Sequence, residues 1–342
     1  MLVFISGEYP PRLGGAGTLA KKISNNDESI TMLYPSLSNI AASRNSIFRY
    51  LWLLELTIVL IFRCPNNSRI CLNDFGALTA FYIAQKVRRL RYISLSYMHH
   101  GLISESYSKA VPLKEKLLVA LTKRLSCKHF SVSDFLSDRL VAKHDIASTP
   151  LPIGVFAMSN DIEVVEDEID SSNFVIVIAS RLNSRKLPLE TFELVSLLQA
   201  QIQKNIVVEV FGDGDSDYVS ELTMCAKNYD FIVNFNGNVP SAVVNTAIKT
   251  CDLVVNASLL AEAAPTIGFE AAAHEKPYLY FTRSGHAYTQ QFNKCWSLMV
   301  DSFGDDSAEL IVEAIRRNAK NMDPQQIPSR EDLIIELFSD FD

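Results

Sequence analysis

The sequence has 342 residues, 48% hydrophobic and only 21% charged, which is more apolar material than one core usually takes up and makes two domains the default expectation. Its six cysteines are scattered singly with no CxxC spacing, which argues against a zinc site or redox pair and for reduced thiols in a cytoplasm. The net charge of −7 is unevenly spread: residues 1–155 hold 19 Lys+Arg against 10 Asp+Glu (+9), leaving 13 against 29 (−16) for the remainder.

Residues 1–6 (MLVFIS) lack the basic segment and the length of a signal peptide and read as a first core strand. Arg12-Leu-Gly-Gly-Ala-Gly-Thr18 follows, ahead of a helical stretch. Gly14 and Gly15 there would let backbone amides approach an anion at a helix N-terminus, although such a turn also serves as a tight strand-to-helix connection. Residues 47–62 are strongly apolar, but Glu55 sits mid-segment and a spanning helix needs about 20 apolar residues, so a buried or interface-lying helix is expected. Lys86-Val-Arg-Arg-Leu-Arg91 is a basic cluster that suits either an anionic surface or a solvated helix face.

Short branched apolar runs at 69–72, 92–95, 174–178, 206–211 and 253–255 are each followed by a longer amphipathic segment. That alternation predicts parallel sheets covered by crossover helices, so the expected fold is α/β with two Rossmann-like, doubly wound domains. We place the first at 1–155 and the second at 156–325, with an acidic loop over 161–170 and a terminal helix within 326–342.

Three local patterns suit a nucleotide diphosphate. In Ser180-Arg-Leu-Asn-Ser-Arg-Lys-Leu-Pro188, the cations Arg181, Arg185 and Lys186 gather beyond the carboxyl end of a strand, where doubly wound folds bind ligands; a solvated charged turn would look the same. In Glu262-Ala-Ala-Pro-Thr-Ile-Gly-Phe-Glu270, Pro265 suits a helix start, and the Thr266 hydroxyl with the amides that follow, that of Ile267 included, could hold phosphate oxygens. Glu270 would lie farther along that helix, able to accept hydrogen bonds from hydroxyls. The glycine-rich turn before the first helix is the third.

Together these residues resemble the retaining, family-4-type glycosyltransferases (glycosyl transferases group 1), which have the GT-B fold of two Rossmann-like domains facing across a cleft. The resemblance runs from Gly7-Glu8-Tyr9 to Ala273, with the pieces in the family's order. It implies that Arg181 and Lys186 grip the donor diphosphate, that Glu262 lies near the donor sugar and that Glu270 binds the ribose. It further implies that His100, in Tyr97-Met-His-His-Gly101, orients the transferred sugar, with His99 as the alternative. Ser133 would lie near the cleft, and Gly212, in Gly212-Asp-Gly214, beside the nucleobase. The chain departs from the family at Lys186-Leu187 and at Glu262-Ala-Ala-Pro265, where the family usually has a glycine after the lysine and after the glutamate.

The implied activity is metal-independent transfer, with retention, from a nucleotide-diphosphate-sugar to a saccharide or lipid-diphosphate-linked saccharide, as in bacterial surface polysaccharide (lipopolysaccharide, O-antigen or capsule) biosynthesis. No cofactor or metal is expected: Asp213-Gly-Asp215 has metal-motif spacing but falls in the nucleobase-side loop. The basic first half suits an anionic membrane surface and hence a peripheral place on the inner face of a membrane, while no nucleic-acid-binding module accompanies it. A nucleotide-sugar epimerase of related fold and a non-catalytic nucleotide-sugar-binding protein remain the alternatives.

Overall fold

The computed structural model describes residues 1–7, 15–26, 28–35, 46–101, 113–157, 172–282, 285–317, 320–321, 324–326 and 328–339. The chain divides into two compact units, one formed by Met1–Ala157 with Pro328–Asp342, the other by Met158–Ile327.

In the first unit the described strands are β1 (Leu2–Ile5), β2 (Ile30–Leu33), β3 (Ser68–Leu72), β4 (Tyr92–His99), β5 (Lys128–Ser131) and β6 (Thr149–Pro150). They form a wholly parallel sheet in the order β2-β1-β3-β4-β5-β6. Helices α1 (Gly15–Asn26), α2 (Ser46–Arg63), α3 (Phe75–Arg88), α4 (Leu113–Leu125) and α5 (Asp134–His144) supply the crossovers that parallel strands require. The core interleaves Val3, Ile5, Ile70, Leu72 and Leu95 of the strands with Leu56, Leu60, Leu78 and Phe81 of α2 and α3. The apolar stretch at 47–62 is thus a crossover helix with one buried face, and no described helix is long and apolar enough to cross a membrane.

β4 runs four residues beyond the expected 92–95, so that Tyr97, Met98 and His99 are strand residues. Its polar positions obscured this: Ser94 and Ser96 are buried, and the Ser96 hydroxyl donates to the Leu337 carbonyl at 2.9 Å. That acceptor belongs to α12 (Arg330–Leu337), which returns to the first unit instead of standing apart; Lys128 reaches Glu336 at 3.3 Å and Ser339 at 2.7 Å.

The second unit repeats the plan with β7 (Asn173–Ala179), β8 (Asn205–Phe211), β9 (Ile232–Gly237), β10 (Leu253–Asn256), β11 (Tyr278–Tyr280) and β12 (Ser297–Met299). The order β12-β11-β10-β7-β8-β9, all parallel, is that of a dinucleotide-binding doubly wound sheet. Helices α6 (Glu190–Gln201), α7 (Ser216–Ala226), α8 (Ser241–Thr250), α9 (Thr266–Ala273), α10 (Gly285–Gln290) and α11 (Asp305–Arg317) cover it. The expected acidic loop at 161–170 lies outside the described residues.

Candidate active site

In the second unit the winding direction reverses between β7, which leads to β8, and its other neighbour β10. The loops leaving the two strands diverge there and open the crevice where such folds hold ligands. The loop after β7 carries Arg181, Arg185 and Lys186; the loop after β10 carries Glu262 and ends at α9.

The two loops are fastened together. Leu259 N donates to the Arg185 carbonyl at 2.8 Å, and Lys186 Nζ lies 2.8 Å from Glu262 Oε2. Asn183 sets the lysine's approach, its side-chain oxygen accepting from the Arg185 amide at 3.0 Å and the Lys186 amide at 3.1 Å. Leu187, fully buried, anchors the turn beneath it. Arg181 is exposed at the strand end.

Glu262 is braced from behind. Asn256 Nδ2 donates to its other oxygen at 3.4 Å, and Gly285 N donates to its carbonyl at 2.7 Å. Burial by itself would raise the Glu262 pKa, but the charge and hydrogen bond of Lys186, helped by His286 and Ser258, hold it below the ordinary carboxylate value. The carboxylate therefore stays ionised at neutral pH. Fully buried His286 accompanies it, its Nδ1 2.7 Å from the Tyr278 hydroxyl and its ring stacked on Tyr280; burial lowers its pKa to about 4, so it is neutral.

α9 opens at Thr266 with Pro265 in the N-cap position, a residue that supplies no side-chain cap to the first-turn amides. Those of Thr266 and Ile267 end a helix of positive N-terminal potential without an internal cap, an arrangement that accepts phosphate oxygens. Thr266 is exposed and Glu270, one turn on, is partly buried. Gly212 has a backbone reason for its identity: φ is 124°, and a Cβ would stand 1.8 Å from the Ser180 carbonyl oxygen. Both aspartates of the Asp213-Gly-Asp215 pair serve local turns, Asp213 accepting from Gly214 N and Asp215 from Asp217 N.

The first unit has its own reversal, between β1 and β3. Ser6, Asn73 and Asp74 end those strands, and His100 follows β4. Asn73 Nδ2 donates to Ser6 Oγ at 3.0 Å, and Ser6 Oγ and Gly7 N both donate to Asp74 Oδ2, at 3.1 and 2.6 Å. His100 Nε2 is 2.8 Å from Asn73 Oδ1. Since that oxygen only accepts, Nε2 carries the proton and Nδ1 keeps its lone pair. Burial drives the His100 pKa down to about 4 against the upward pull of Asp74 and Asn73, which leaves a neutral imidazole. His99 instead points into the sheet, its Nε2 3.0 Å from His129 Nδ1. Ser133 is buried as the N-cap of α5, accepting from Leu136 N at 3.3 Å. Gly15 opens α1, while Gly14 lies outside the described residues.

Of the expected site residues, Lys186 and Glu262 are therefore in contact, and Arg181, Pro265, Thr266, Ile267 and Glu270 share their unit. His100 and Gly15 belong to the other. Asn183, Asn256, Tyr278 and His286 were not found from sequence; only Asn183, inside the basic turn, sat within a recognisable pattern.

Residues 160–327 match the model of the family described as glycosyl transferases group 1. No curated protein matches the sequence. Similar solved structures include Anabaena HepE in complex with UDP-glucose, with a TM-score of 0.68, 16% identity, and coverage of 99% of this chain and 96% of that one. A glycosyltransferase from Rickettsia africae gives a TM-score of 0.65 at 13% identity, covering 99% and 94%. WaaG, a glycosyltransferase involved in lipopolysaccharide biosynthesis, gives 0.59 at 12% identity, covering 98% and 93%. At such identities the likeness is one of fold, and that fold is GT-B.

Proposed function

We propose that this chain, whose residues 160–327 match the glycosyl transferases group 1 model, transfers a sugar, with retention and without a metal, from a nucleotide-diphosphate-sugar to a saccharide or lipid-linked saccharide acceptor of surface polysaccharide assembly. The observation that carries this reading is the Lys186–Glu262 pair at the reversal point of a dinucleotide-binding sheet. The chemical demand of the reaction is charge on the departing β-phosphate. Lys186, Arg181 and the uncapped amides of Thr266 and Ile267 are the groups that would neutralise it, each such contact contributing about 2–4 kcal/mol of transition-state stabilisation. In this reading Glu262 faces the donor sugar, Glu270 takes the ribose hydroxyls, and His100 presents a neutral imidazole to the transferred sugar. The nucleobase lies beside the loop of Gly212, and the glycine-rich turn at Gly14 and Gly15 meets the donor phosphates or the acceptor.

HepE was crystallised with UDP-glucose, which makes UDP-sugars the first donors to try. The test is a panel of UDP- and GDP-sugars with purified protein in chelator, read by thermal shift, nucleoside-diphosphate release and the anomeric configuration of the product. Stabilisation by one nucleotide class that is lost in Arg181→Ala and Glu270→Ala, with a retained anomer, is expected. Release of a 2-epimer without acceptor would favour the epimerase alternative, and binding without turnover on any acceptor a sensor.

A further inference from the structure

One face of the first unit carries more apolar surface than its core requires. α2, α3 and α4 connect β2 to β3, β3 to β4 and β4 to β5, all in one direction across the sheet, so right-handed crossovers put them side by side on one face. α2 packs on α3 and α3 on α4. Their inner sides fill the core, while on the outer side of α2 Leu51, Leu54, Ile58 and Phe62 are 54, 55, 46 and 79% exposed. Their spacing of three and four residues makes one continuous stripe. Val87 of α3 and Leu117 of α4, 66 and 43% exposed, extend it across the neighbouring helices.

The charges on the same three helices are one-sided. Arg63, Lys86, Lys116 and Lys123 are exposed. Of the acids, Glu115 is buried against His144, which leaves Glu55 partly exposed within the stripe. We propose that this face is a docking surface for an anionic lipid bilayer, with the α2 stripe in the headgroup–acyl boundary and the lysines and Arg63 on lipid phosphates. A second copy of the chain fits less well, because apposing two such faces would set cation against cation. The proposal deepens the lipid-linked acceptor reading above and rests on it for its biological sense.

The full-length chain is sedimented with vesicles of phosphatidylcholine alone and with added phosphatidylglycerol, at low and high salt. Wild type should bind the anionic vesicles and release as salt rises. Leu54→Ser/Ile58→Ser/Phe62→Ser should lower the partition coefficient about tenfold or more, and Lys86→Gln/Lys123→Gln should remove the preference for anionic lipid. All of these positions are exposed, so circular dichroism should stay unchanged. Wild type that ignores both vesicles, variants that bind as wild type does, or a dimer in solution that the triple variant dissociates would each overturn the proposal. Donor-induced thermal stabilisation, measured without lipid on the same preparations, reports on the transferase reading separately.

Discussion

Lys186 Nζ and Glu262 Oε2 stand 2.8 Å apart across two loops that leave adjacent strands, with both side chains about one-fifth exposed. At that burial the pair is neither a solvated surface bridge nor a sealed ion pair, so a diphosphate arriving at the crevice can share the lysine without first breaking a dry contact.

Lys186→Ala should therefore do two separable things. Transfer should fall about 10²–10³-fold through loss of charge stabilisation. The Glu262 pKa should also rise, since burial would then act without its main opponent. Carboxylate-resolved NMR titration checks the second effect, and it should be absent in Arg181→Ala.

Acid should unfold the protein through its histidines. His100, His129 and His286 have pKa values depressed to about 4, in each case chiefly by burial. The unfolded chain binds their protons near pH 6.5, so between roughly 6.5 and 4 it holds more protons than the folded one, and stability falls as pH drops by about 1 kcal/mol per pH unit for each histidine. Glu262, with its lowered pKa, loses its contribution at the acid end of the same range. Urea midpoints measured across pH 4–7 should slope accordingly, and His129→Asn should flatten the slope.

Gly285→Ala should damage the site from behind. An added Cβ would stand 1.8 Å from the Ala263 carbonyl oxygen, a backbone atom in the loop that carries Glu262. The expected cost is about 1–3 kcal/mol of stability, together with weaker nucleotide-sugar binding. A thermal melt with and without donor separates the two; unchanged donor affinity would mean that the Glu262 loop does not depend on this contact.

Ser133→Ala should lower stability by about 1 kcal/mol through loss of the α5 cap and leave donor affinity unchanged. A loss of donor binding beyond what unfolding explains would give Ser133 a part in the site in addition to the cap, in keeping with the place near the cleft that the family resemblance implies.

The doubly wound plan was legible because strands buried on both faces, such as residues 176–178 in β7, must be apolar throughout. The lower half of β4 was not, because Ser96 and His99 are polar and gain their partners from α12 and β5, far away in sequence. The same limit hid the support of Glu262. The Lys186 turn and the Glu262–Glu270 run are contiguous patterns, whereas Asn256, Tyr278 and His286 come together only when β10 pairs with β11. Gly212 and Ser133 stood in recognisable contexts, but a φ of 124° and a helix cap already account for their identities.

The return of α12 to the first unit also bears on how the protein is made. Its second unit is one unbroken stretch inserted into the first, so it can close as soon as residue 327 has left the ribosome. The first unit, begun earlier, must wait for residues 328–339 to supply acceptors for Ser96 and Lys128. Stalled synthesis or trimming of the final segment would therefore harm the domain that is translated first.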